Sequence, residues 1–108
     1  MSYHSRGLDG RSRIMKRAAQ LAAHYTTLLD RSGRETASVP LATAIISAAE
    51  LVAIAEHERT RMLRGENVDP DNVIRMQRLA DLAVRRLHLD QRYAAPQSAL
   101  AERLRAVP

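Results

Sequence analysis

Apolar residues in the second half of the chain recur with the period of a helix. At about 100° per residue, Val73, Met76, Leu79, Ala80, Ala83, Val84 and Leu87 fall on one stripe. Arg75, Arg78, Arg85 and Arg86 fall on the opposite side. Ile74, Leu82 and Leu89 lie among those arginines, either as ordinary exposed apolar residues or as a second face that something else buries. The helix has a marked start. Asp69 can accept from a free N–H of the first turn, Pro70 loses nothing at the first helical position, and Asp71 suits the positive end of the helix dipole. Gly65 suits the left-handed conformation that ends a preceding helix. The short connection between them predicts two antiparallel neighbours.

The preceding helix has a different pattern. From Leu41 to Ala55 its few polar residues, Thr43, Ser47 and Glu50, share one narrow face, and apolar residues cover the rest. One partner helix cannot bury so wide a surface, and exposing it invites association. From Glu56 to Glu66 the chain turns charged, with Met62 and Leu63 continuing the inner stripe. The apolar run is shorter than the roughly 20 residues that a bilayer needs, and Glu50 interrupts it, so no membrane span is expected.

A third helix is expected over about 11–31. Ile14, Ala18, Leu21, Tyr25, Leu28 and Leu29 share a side; Arg13, Lys16, Arg17, Gln20, His24 and Thr27 share the other. Ser32-Gly33 ends it, and Pro40 opens the next. Its stripe is suited to cover the apolar shoulder of the second helix. The expected fold is therefore all-α. It is a three-helix protein with helices at about 11–31, 40–64 and 70–90, centred on a long antiparallel hairpin within one domain, 11–92. A flexible basic arm, 1–10, precedes it. A tail or short helix, 93–108, follows the Ala94-Ala95-Pro96 break, with Leu100 and Leu104 four apart on one helical face. So short a helix is marginal alone, and two roles fit it: docking a partner through Leu100 and Leu104, or covering an apolar face of a neighbouring copy.

Composition sharpens the expectation of self-association. The chain has 108 residues, three Tyr, and no Phe or Trp. A core this small and this aliphatic has little burial to spare, and a second copy would supply more. The expected interface comprises Leu41, Ile45, Ile46, Ala49, Val52, Ile74 and Leu82, in a ring or another closed assembly. The absence of Cys removes disulfides and thiolate metal sites. The first residues lack the apolar stretch of a signal peptide, so an intracellular, cytoplasmic location is expected.

The net charge of +5 is uneven. Arg6, Arg11, Arg13, Lys16 and Arg17 face only Asp9 in the first twenty residues, which suggests attraction to phosphate or to an acidic partner. With Arg75, Arg78, Arg85 and Arg86 as a second patch, these are the candidate nucleic-acid contacts. The apolar second helix is unsuited to a major groove, so phosphate contact to double-stranded DNA, without sequence reading, is the expected mode.

Chemistry is harder to find. His57-Glu58 lacks the second His of a zinc-protease motif, because Arg61 stands at that spacing. Glu50, Glu56, His57 and Glu58 do not form the Glu-x-x-His pairs of a carboxylate-bridged metal site. No phosphate loop and no serine elbow is present. No enzyme activity, metal or cofactor is expected.

The Pro40–Leu89 stretch, tipped by Gly-Glu-Asn-Val-Asp-Pro-Asp and continuing through Arg-Met-Gln-Arg-Leu-Ala-Asp-Leu-Ala-Val-Arg-Arg-Leu (75–87), resembles the oligomerisation core of phage small terminase subunits. The resemblance implies hairpins packed side by side in a ring, engagement of viral DNA, and a carboxy-terminal segment that contacts a large motor subunit. It also implies a host-cytoplasmic setting. The chain departs from many members of that family in having one basic helix and an arm where they carry a helix-turn-helix. Two other roles compete: a structural adaptor that binds no DNA, and a small DNA-binding regulator.

Overall fold

The computed structural model describes the backbone of residues 2–89 and the side chains of residues 10–89. The described chain is all-α, with three helices: α1 (Ser2–Arg31), α2 (Val39–Leu63) and α3 (Pro70–Leu87). The expected tail, 93–108, with Leu100 and Leu104, lies outside the described residues, as does the side chain of Arg6.

The helix ends follow local chemistry. Gly33 (φ 88°) and Gly65 (φ 79°) take the left-handed conformation after α1 and α2. After α1, Gly33 N–H donates to Asp30 C=O and Arg34 N–H to Leu29 C=O; after α2, Gly65 N–H donates to Met62 C=O and Glu66 N–H to Arg61 C=O. This repeated pair of bonds is the Schellman arrangement, which satisfies carbonyls that the helix leaves free. At the start of α3, Asp69 Oδ1 accepts from Asp71 N–H at 3.1 Å. Pro40 and Pro70 occupy first-turn positions of α2 and α3.

One boundary differs from expectation. The segment 1–10 was expected as a flexible arm, but the helix already begins at Ser2. Gly7 and Gly10 disfavour helix by about 1 kcal/mol each, and no proline interrupts the segment. Extending a helix already nucleated downstream adds one bond per residue fixed.

α2 is the central helix. It packs along both α1 and α3, while α1 and α3 share no close backbone neighbours with each other. The main core joins Ala18, Leu21, Tyr25 and Leu29 of α1 to Ile45, Ala48, Ala49 and Ala53 of α2, with Leu87 of α3. Leu87 closes the last turn of α3 beside Ile45, near the start of α2, so the two helices run in opposite directions. A second seam, between α2 and α3, buries Ala55, Val73 and Ala80. Its small residues let the two backbones approach closely.

The expected α3 stripe is buried at Val73, Ala80 and Leu87, but Leu79 stands half exposed at its margin. Leu89, expected among the outward arginines, packs against the core. The physical reason is His88, whose left-handed backbone (φ 53°, ψ 51°) turns the chain inward after α3. Arg34 then fastens this end: its Nη1 donates to Leu87 C=O at 2.7 Å, where a cation also suits the negative end of the helix dipole.

Partners on two sides bury only part of α2. An 18-residue window within it has a mean hydropathy of 1.7 and is 28% buried. The apolar run was expected to fall short of a bilayer span; α2 as a whole, at 25 residues, has the length and composition of one, as the core helix of a water-soluble protein also does.

Candidate nucleic-acid interface

Two features stand on the surface of the α1–α2 pair: a cationic cleft and an apolar groove. The cleft lies where the amino-terminal half of α1 passes the carboxy-terminal end of α2. It has a volume of about 240 Å³. Arg13, Ile14 and Arg17 line it from α1; Ala53, Glu56, His57, Thr60 and Arg61 line it from α2, with Arg64 just beyond.

Register explains the gathering. α1 and α2 run in opposite directions, so Leu29 and Ile45 share the core toward one end and Arg17 reaches Glu56 toward the other. Arg17 Nε donates to Glu56 Oε2 at 2.9 Å and Nη2 to Oε1 at 3.2 Å, a two-pronged pair. Both side chains are close to half exposed, which limits the pair to about 0–1 kcal/mol of stability. Its chief effect is to hold the guanidinium in place. Arg61 is held similarly. Its Nη1 donates to both carboxylate oxygens of Glu58, at 3.2 and 3.3 Å, and its Nε to Glu66 at 3.5 Å. Hydrogen bonds and charge from the glutamates raise the pKa of both arginines. Among the described residues, Arg13 and Arg64 have no carboxylate partner.

The expected DNA contacts divide between the two ends of the molecule. Arg11, Arg13, Lys16 and Arg17 are exposed on the amino-terminal half of α1. Arg75 and Arg78 are exposed on the first half of α3, which begins where α2 ends, so they share that end of the molecule. Arg85 and Arg86 close the last turn of α3, at the opposite end beside Leu87. The nine candidates therefore do not form one patch. Sequence reasoning missed Arg61 and Arg64, which sit with Arg13 and Arg17. A signal for them existed: once α1 is laid antiparallel against α2 by matching Leu29 to Ile45, Arg13 falls opposite Arg61.

The expected self-association surface is also redistributed. Ile45 and Ala49 are buried within the protomer, and Leu41 and Val52 pack against the same core. Assigning Ile45 and Ala49 to an interface between copies is therefore corrected, because α1 already covers that side of α2. Ile46, Ile74 and Leu82 remain exposed. α1 does not cover the whole shoulder. Ile46 (52% exposed) and Ile54 of α2 form, with Ile14, Met15 (66% exposed), Ala18, Ala19 and Ala22 of α1, an open apolar groove of about 450 Å³, with Glu50 on its lining. Ile74 and Leu82 lie apart from it, on the outer side of α3.

Among the described residues, no three His, Asp or Glu side chains gather as metal ligands would. Comparison of the chain with protein-family models, with curated proteins and with solved structures returned no match.

Proposed function

We propose that this protein is a self-associating helical DNA-binding component that holds duplex DNA through its phosphates. One observation carries the reading: Arg13 and Arg17 of α1 and Arg61 and Arg64 at the end of α2 line one cleft. Arg11 and Lys16 are exposed on the same half of α1, and Arg75 and Arg78 on the first half of α3. Arginine forks exposed on rigid helices suit phosphate oxygens and carry no base-reading geometry of their own.

Assembly completes the reading. The α1–α2 groove with Met15, Ile46 and Ile54 is the surface proposed to meet a second copy, because it is an apolar strip that the protomer leaves open. Repetition of the α2–α3 hairpin about a closed axis would turn one basic end into a ring of them. That is the arrangement implied by the likeness of residues 40–89 to small terminase subunits. A DNA-packaging role in the cytoplasm, with a large motor subunit as partner, follows as part of the proposal. Two measurements test it. Duplex binding should weaken steeply as salt rises, because counterions are released on contact. Molar mass by light scattering should exceed that of a monomer, and Ile46→Asp should reduce it with helix content unchanged. A monomer that ignores duplex DNA at low salt sinks the proposal.

A further inference from the structure

Within the basic end, the α1–α2 cleft has the features of a site and not merely of a charged surface. Two of its arginines are pre-set by glutamates: Arg17 by Glu56, and Arg61 by Glu58 and Glu66. Each keeps N–H groups that those bonds leave unused, Nη1 on Arg17 and Nη2 on Arg61. The other two, Arg13 and Arg64, have no anionic partner among the described residues. His57, half-buried, also lines the cleft, and Thr60 closes it with its hydroxyl donating to Glu56 C=O at 2.9 Å.

We infer that this cleft seats one phosphate group between α1 and α2, with Arg13 and Arg64 as direct ligands and Arg17 and Arg61 as flanking donors. The inference rests on the function proposed above in taking that phosphate from the DNA backbone. The charges support an anion. The four arginines outnumber Glu56 on the lining, and Glu58 and Glu66 are engaged with Arg61. The shape supports a small one, since a volume of about 240 Å³ admits a phosphate with its water but not a base pair. Arg13 belongs to α1 and Arg64 follows α2, so a bound phosphate would join the two helices at the end where their aliphatic core has given way to charge.

The test compares two double variants of equal charge change. Arg13→Gln/Arg64→Gln removes the direct ligands; Arg85→Gln/Arg86→Gln removes two exposed cations from the opposite end. All four residues are partly or wholly exposed, so melting temperatures should match the wild type. Binding to a short duplex is then followed against salt. The expected result is a salt slope lowered by roughly two units for Arg13→Gln/Arg64→Gln, on the order of one per lost contact, and little changed for Arg85→Gln/Arg86→Gln. Equal losses in the two variants, or none in the first, would overturn the inference while leaving general DNA binding intact. If the wild type does not bind the duplex, the proposed function fails separately. Inorganic phosphate then decides the cleft: a rise in melting temperature seen for the wild type and absent in Arg13→Gln/Arg64→Gln supports a phosphate site, and identical behaviour of the two proteins removes it.

Discussion

The two ends of this molecule are built on opposite principles. At one end Leu29 and Leu87 are fully buried, Leu89 is turned in by His88, and Arg34 ties the loop after α1 to the last turn of α3. All three helices meet there. At the other end α1 and α2 are joined at the surface by Arg17–Glu56, and α3 starts from an exposed loop with its own Asp69 cap. The closed end is held by removal of aliphatic surface from water, at about 25 cal/mol per Å². The basic end keeps the α2–α3 seam of Ala55 and Val73, but its α1–α2 contact ends in an exposed pair that stabilises little. The contrast shows where each task sits: the largest buried side chains lie away from the charges, and Arg13 and Arg64 stay exposed to meet an anion.

The largest expected effect tests the closed end. Leu29→Ala should lower the unfolding free energy by about 2–5 kcal/mol in denaturant melts, because it empties a fully buried site. Arg13→Ala, at the basic end, should stay within about 0.5 kcal/mol of the wild type. Comparable losses from both would erase the contrast. Next comes Arg34→Ala, which removes a charged donor from Leu87 C=O and should cost about 1.5–3 kcal/mol. Native-state hydrogen exchange should show the last turn of α3 opening first.

Smaller changes belong to the basic end. Asp69→Ala removes the side-chain cap of α3 and should cost about 1 kcal/mol by thermal melting. Arg17→Gln should change stability by less than about 1 kcal/mol, and Glu56→Gln by as little. A double-mutant cycle on the pair measures their coupling, and a value well above 1 kcal/mol would make the basic end structural. The last test uses pH. Burial raises the Tyr25 pKa above its ordinary 10.0, with smaller opposing contributions from Glu56, which raises it, and Arg17, which lowers it. The folded state therefore favours the neutral phenol. That contribution is complete below pH 10.0 and is lost as pH rises through the folded-state value. Tyr25→Phe should flatten the alkaline fall in stability, and an unchanged profile would show that the phenol is not its source.

Much of the fold was legible along the chain because its causes are local. Asp69-Pro70-Asp71, Gly65 and Gly33 each act within one turn of backbone, and all three behave in the structure as their chemistry requires. Stripes such as Ala18-Leu21-Tyr25-Leu29 and Val73-Ala80-Leu87 are periodic, and their burial follows. The surface features were less legible because they depend on the pairing between helices. Arg61 and Arg64 look like part of a solvated face until α1 brings Arg13 and Arg17 beside them. Ile45 and Ile46 are adjacent and chemically identical, and only the position of α1 makes one core and the other groove. Leu89 is drawn inward by a left-handed residue that is not glycine, which composition does not announce.

What this sequence determined by itself is three helices, their ends and their apolar sides, because hydrogen bonding, capping and periodicity act over a few residues. The tertiary structure alone decided which side of α2 each neighbour takes. Only that choice placed four arginines around one cleft, sent Arg85 and Arg86 to the far end, and left Met15 and Ile46 uncovered. The reason is that α2 is apolar over most of its circumference and carries no local preference for a partner's position. The angle of approach is set by how the alanines and leucines of all three helices fill space together.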